Sequence, residues 1–161
     1  MAYPLGFTYV SGPVRYVTST VSSTATFKAR NPLALGLGYT CIEATSVSTA
    51  IFGIACNDAA NSLPGQAGKV LVEIPMPETV YACQVQTGVA TSATSIGLVY
   101  AIEKSGNYLR IDTDSKTTPH LVLVGDEFGN TVNSADSSCY VRFLANSLQI
   151  FSSSASVAWY A

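Results

Sequence analysis

The chain has 161 residues, 48% of them hydrophobic and only 11% charged, and a formal net charge of -2. That is enough apolar material for the core of one domain or two small ones. The basic residues, Arg15, Lys28, Arg30, Lys69, Lys104, Arg110, Lys116 and Arg142, are scattered, which leaves no nucleic-acid footprint, and no run approaches the roughly 18 apolar residues of a membrane span.

Residues Met1 to Ser11 read as an arm, either tucked under its own domain or laid across a partner: Tyr3, Phe7 and Tyr9 are large, while Pro4, Gly6, Gly12 and Pro13 interrupt any long element. The start also lacks the basic and long apolar regions of a secretory signal. Val14 to Thr20 and Ala25 to Ala29, rich in Val, Thr, Tyr and Phe, predict strands. After the turn at Asn31-Pro32, Leu33 to Leu35 and Tyr39 to Ala44 predict a hairpin around Gly36-Leu37-Gly38. Cys41 stands where a dinucleotide fingerprint needs its third glycine, so this G-x-G reads as a turn.

The organising stretch is Ala50 to Val85. Ala50 to Ala55 and Lys69 to Ile74 are strand-like runs flanking a polar segment with a possible turn of helix at Asp58-Ala59-Ala60. Lys69 to Ile74 puts Val70, Val72 and Ile74 on one face and Lys69 and Glu73 on the other, the period-2 pattern of a strand with one wet side. Pro75 to Pro77 turns the chain into Val80 to Val85, where neither face is cleanly polar and cover on both sides is expected. Gln86 to Ser95 is a low-complexity loop. Gly97 to Glu103 and Asn107 to Asp112 predict a hairpin across Ser105-Gly106, with Leu109 and Ile111 inward and Arg110 and Asp112 outward. Leu121 to Val124 predicts a short buried strand, Gly125 to Asn133 a polar loop, and Cys139, Val141 and Phe143 the inner face of another strand. Leu148 to Phe151 and Ser156 to Tyr160 are candidates for a closing strand.

No segment carries a capped helical stripe. The expected fold is all-β: a compact barrel or sandwich of short antiparallel strands, with an extended N-terminal arm. Two divisions fit: residues 1-20 as arm and first strand, 21-75 as a barrel subdomain and 76-161 as a second β subdomain, or one continuous domain over 14-161.

Catalytic groups are sparse. His120, the single histidine, lies at the start of an apolar run and reads as structural. No nucleophile elbow is present. Asp112 and Asp114, with Asp126 and Glu127 a strand away, are the only carboxylates that suggest a glycosidase pair or calcium site, and loop solvation explains them better. Cys41, Cys56, Cys83 and Cys139 are widely spaced in apolar runs; they read as reduced, buried small hydrophobes, with a disulfide as the other possibility and zinc disfavoured. The expectation is a protein without cofactor, metal or catalysis. The low charge removes the repulsion that keeps monomers apart and favours a component of an assembly. The tyrosines expected at least partly exposed, Tyr3, Tyr9, Tyr16, Tyr108 and Tyr140, also admit a carbohydrate-binding role, since aromatic faces stack on sugars.

Gly53-Ile54-Ala55, Asp58-Ala59-Ala60, Gly65 with Gly68, and Val70-Leu71-Val72 together resemble the capsid decoration, or cement, proteins of tailed bacteriophages, and Phe27 to Ala44 looks like the strands that precede this step in them. The resemblance covers roughly Phe27 to Glu73. It implies a non-enzymatic β protein, made in the host cytoplasm, that sits as a homotrimer on the outside of the virion head and bridges major capsid protein subunits. In that setting Tyr3, Pro4, Phe7, Tyr9, Arg15 and Tyr16 are the candidates for contact with the shell or with a neighbouring subunit. The alternative is a receptor- or carbohydrate-binding β module of the virion.

Overall fold

The computed structural model describes residues 6–59, 68–85, 96–115, 117–126 and 138–149. Eleven strands appear in chain order: β1 (Thr8–Ser11), β2 (Val14–Thr20), β3 (Pro32–Leu35), β4 (Cys41–Glu43), β5 (Gly53–Ala55), β6 (Lys69–Pro75), β7 (Val80–Gln84), β8 (Val99–Ser105), β9 (Tyr108–Asp112), β10 (Leu121–Asp126) and β11 (Ser138–Phe143). Among the described residues, helix is confined to two single 3-10 turns, Leu37–Tyr39 and Ala145–Ser147. The fold is all-β, as the turn spacing and alternation predict.

The strands form two antiparallel sheets packed together. One has five strands in the order β2-β6-β5-β3-β4; the other has six, β1-β7-β11-β10-β8-β9. Each is drawn round by one parallel bridge, Val21 to Cys41 in the first and Val85 to Ile111 in the second, so each curls towards a small barrel.

Period-2 alternation decides what each sheet covers. In the five-stranded sheet, Val70, Val72 and Ile74 point with Leu33, Cys41 and Ala55 to one side, where Phe27 and Phe52 close a first core. Ala34 and Ile54 point to the other side and merge with Phe7, Tyr81, Ile102, Leu121, Val141 and Phe143 of the six-stranded sheet in a second, shared core. Gly53 is required where β5 meets its ladder partner β6: a Cβ there would lie 2.4 Å from Val72 Cγ1 and 2.6 Å from the Glu73 carbonyl oxygen. Asn31, fully buried, ties the sheets at one end. Its side-chain amide donates to Glu43 and to the Asn107 carbonyl (both 2.9 Å), and its Oδ1 accepts from the Leu109 amide. Lys104 pairs with the same Glu43.

Several expectations are corrected. Ala25 to Ala29 is not a strand but an irregular crossing that drops Phe27 into the first core, fixed by the Asp58 carboxylate accepting from the Ala29 amide at 2.7 Å and by Ala59 N–H donating to the Phe27 carbonyl. Asp58 and Ala59 lie in a turn rather than a helix; Ala60 and Gly65 lie outside the described residues. β10 runs two residues beyond Val124, through Asp126. The face of β6 opposite Val72 is not wet at Glu73, which is 8% exposed, because the second sheet packs over it. The cysteines are free thiols; Cys41, Cys83 and Cys139 are buried, but Cys56 is exposed at the end of β5. The loop expected over Gln86 to Ser95 and the closing-strand residues beyond Gln149 fall outside the described residues.

Candidate contact surface of the N-terminal strands

β1 and β2 are consecutive, yet they belong to different sheets: β1 pairs with β7, and β2 with β6 along its whole length. Gly12-Pro13 makes the crossing. Gly12 adopts φ +101, and a Cβ there would lie 2.9 Å from the Glu78 carbonyl oxygen, so the tight approach needs glycine. The Thr79 hydroxyl clamps the step by donating to the Pro13 carbonyl while accepting from the Met76 amide.

The candidate residues divide. Phe7 is 1% exposed and sits among Tyr81 and Phe143, with ring centroids at 6.4 and 5.4 Å. It anchors β1 in the shared core, and no face of it is free for a partner. Tyr9 and Tyr16 are 44% and 56% exposed, with exposed Val10 and Arg15 on the same two strands. Tyr3 and Pro4 lie outside the described residues. Tyr108 and Tyr140 are half-buried.

The exposed phenols are held. Tyr9 donates to the Gly12 carbonyl at 2.8 Å. Tyr16 donates to one oxygen of Glu73 at 3.0 Å, and buried Tyr81, from the opposite sheet, donates to the other at 2.7 Å. One carboxylate therefore staples the two sheets beneath the exposed tyrosines. Its negative charge raises the Tyr16 phenol pKa, chiefly through the hydrogen bond that the phenol donates, and Tyr81 is raised further, first by burial and then by the same carboxylate. Cys56 is exposed as a residue, but partial burial of its sulfur and then the Glu73 charge push its thiol up to about 11, which favours the protonated form at neutral pH. Sequence reasoning missed Glu73. The available signal was a lone carboxylate between Val72 and Ile74, in a strand followed at once by the Pro75-Pro77 turn that brings Tyr81 back over it.

Elsewhere, two of the groups considered for chemistry, Asp112 and His120, have structural partners, and Glu127 lies outside the described residues. The Asp112 carboxylate accepts the Asp114 and Ser115 amides, closing a turn after β9. His120 is 1% exposed; its Nε2 donates to the Ser48 carbonyl at 2.7 Å, and burial lowers its pKa. Among the described residues, no group of three or more His, Cys, Asp or Glu side chains is placed to hold a metal ion, and no helix is long and apolar enough to cross a membrane. The chain matches no protein-family model and no curated protein at a significant level.

Proposed function

We propose that this chain is a structural virion protein: a decoration or cement protein that binds the outside of a tailed-phage head as a homotrimer and stabilises the major capsid protein lattice. The observation that carries the reading is the pairing of a low-charge chain with the exposed Tyr9, Val10 and Tyr16 on two adjoining strands, backed by the Glu73 staple. Aromatic side chains held in place lose little entropy when covered, and threefold symmetry multiplies a modest contact into firm attachment. The resemblance over Phe27 to Glu73 supports the same class: Gly53-Ile54-Ala55 is β5, and Val70-Leu71-Val72 lies in β6, its antiparallel partner.

Saturable binding to undecorated phage heads, read by co-sedimentation, tests this. The wild-type chain should saturate at a fixed ratio to shell protein, and a Tyr9→Ala/Tyr16→Ala variant that melts normally should bind at least tenfold more weakly. Equal binding by that variant removes the contact role from these residues. One observation favours the carbohydrate-binding alternative: Tyr9 and Tyr16 are both exposed aromatic rings, and such faces stack on sugars. Retention on a glycan array, together with no binding to heads, would move the reading there.

A further inference from the structure

Four strands end the two sheets, and the fold guards three of them. β4 is met by the Val21 bridge, with the Ser22 amide donating to the Cys41 carbonyl; β9 is met by the Val85 bridge. β1 is four residues long with a register shift between Tyr9 and Ser11, the kind of irregularity that blunts an edge. β2 is met only at its end, where the Val21 bridge brings Cys41 beside Thr20; among the described residues, Val14 to Ser19 have none of these protections. β2 runs seven residues in unbroken register from Val14 to Thr20, contains no proline, and carries one charge, Arg15.

The pairing on its inner side shows which groups face outward. Val21 N–H donates to the Gly68 carbonyl and Cys56 N–H to the Leu71 carbonyl, so alternation directs residues 68, 70, 72 and 74 of the β6 segment towards β2 and residues 71 and 73 towards β5. Their partners on β2 are Arg15, Val17 and Ser19. The backbone N–H and C=O groups of Tyr16 and Thr18 and the N–H of Thr20 therefore point away from the sheet, along an edge where all three residues are exposed, while the Thr20 carbonyl turns to Cys41 in the Val21 bridge.

We infer that this edge pairs with the same edge of a second copy of the chain, antiparallel about a two-fold axis through Val17. In that register Tyr16 lies opposite Thr18 of the second copy, and the outward amides and carbonyls of both residues satisfy one another. Arg15 lies opposite Ser19, so no like charges meet. Lys69, whose ammonium is held by Thr20 Oγ1 at 2.7 Å, projects from the face of the sheet opposite to Arg15 by strand alternation. The symmetric edge meets itself without a charged or bulged residue in the way, which is the self-complementarity of an isologous interface. This pairing is separate from head binding. If the chain also forms trimers, the two contacts together build a dihedral hexamer.

The test is the absolute mass of the full chain by light scattering across micromolar concentrations, for wild type, Thr18→Pro and Thr18→Ala. Proline at Thr18 removes an outward N–H that β6 does not use. Wild type and Thr18→Ala should show an even number of chains, and Thr18→Pro half that mass with a similar near-ultraviolet spectrum. Amide hydrogen exchange on the wild type supplies a reading that does not depend on the variant folding: protection at Tyr16, Thr18 and Thr20 should rise at least tenfold with concentration. A monomer throughout, a trimer unchanged by Thr18→Pro, or concentration-independent exchange at these amides would overturn the inference.

Discussion

The two N-terminal strands are joined by two residues and face opposite fates. β1 is short, bulged and pinned by Phe7, which gives its side chain entirely to the shared core; β2 is long, regular and held to the molecule by its ladder to β6 and by one exposed phenol on Glu73. The difference separates anchoring from presentation. β1 fixes where the N-terminal strands lie, and β2 with Tyr9 and Val10 supplies what a partner can touch. For the same reason, deleting residues 1–11 is a poor test of contact, because it removes a core aromatic together with the surface.

Substitutions should reproduce that division. Phe7→Ala should have the largest effect, about 4 kcal/mol of lost stability in urea unfolding, since it empties a packed aromatic site. Gly53→Ala comes next at about 3 kcal/mol, because the new methyl meets backbone and Val72 together and neither strand can retreat. Tyr81→Phe should cost about 2 kcal/mol by leaving one oxygen of a buried carboxylate without its donor. Tyr16→Phe removes a donor from the same carboxylate at an exposed position, where water can replace it, and should change unfolding by no more than ordinary surface substitutions do. If Tyr16→Phe costs as much as Tyr81→Phe, the two ends of the staple are not the unequal pair described.

The smallest effect is an acid one. Burial lowers the His120 pKa, so the folded state keeps the ring neutral while the unfolded chain takes a proton near the ordinary value of 6.5. The unfolded state then binds more protons as the pH drops, and stability from this group, complete above about pH 7, declines as the pH falls through the unfolded and then the folded value. Melting followed between about pH 7 and 5 should show the decline in wild type and a flatter profile in His120→Asn. An identical slope in both would place the acid sensitivity elsewhere.

Much of the fold is legible in alternation. Lys69 to Ile74, Leu109 to Asp112 and Cys139 to Phe143 each announce a strand and its inner face, and the Gly106 turn announces the β8–β9 hairpin. Alternation tells which residues share a face but not what lies over it, and so Glu73 reads as solvated although the second sheet covers it. Ala25 to Ala29 has strand composition, but its backbone bonds go to turns at the end of the first core. In the candidate surface, Tyr9 and Tyr16 are exposed as expected, and Arg15 is exposed beside them. Phe7 follows the tucked reading of the arm, which the sequence could not choose because its neighbours Tyr81 and Phe143 are remote in sequence and only the sheet order brings them to it.

The most direct test of the account is hydroxyl-radical footprinting of the chain free and bound to undecorated phage heads. Oxidation of Tyr9 and Tyr16 should fall severalfold on binding, while Phe7 and Tyr81, already buried, stay unreactive in both states. Unchanged oxidation of Tyr9 and Tyr16 on heads that carry the chain, with protection appearing at other residues, would contradict it.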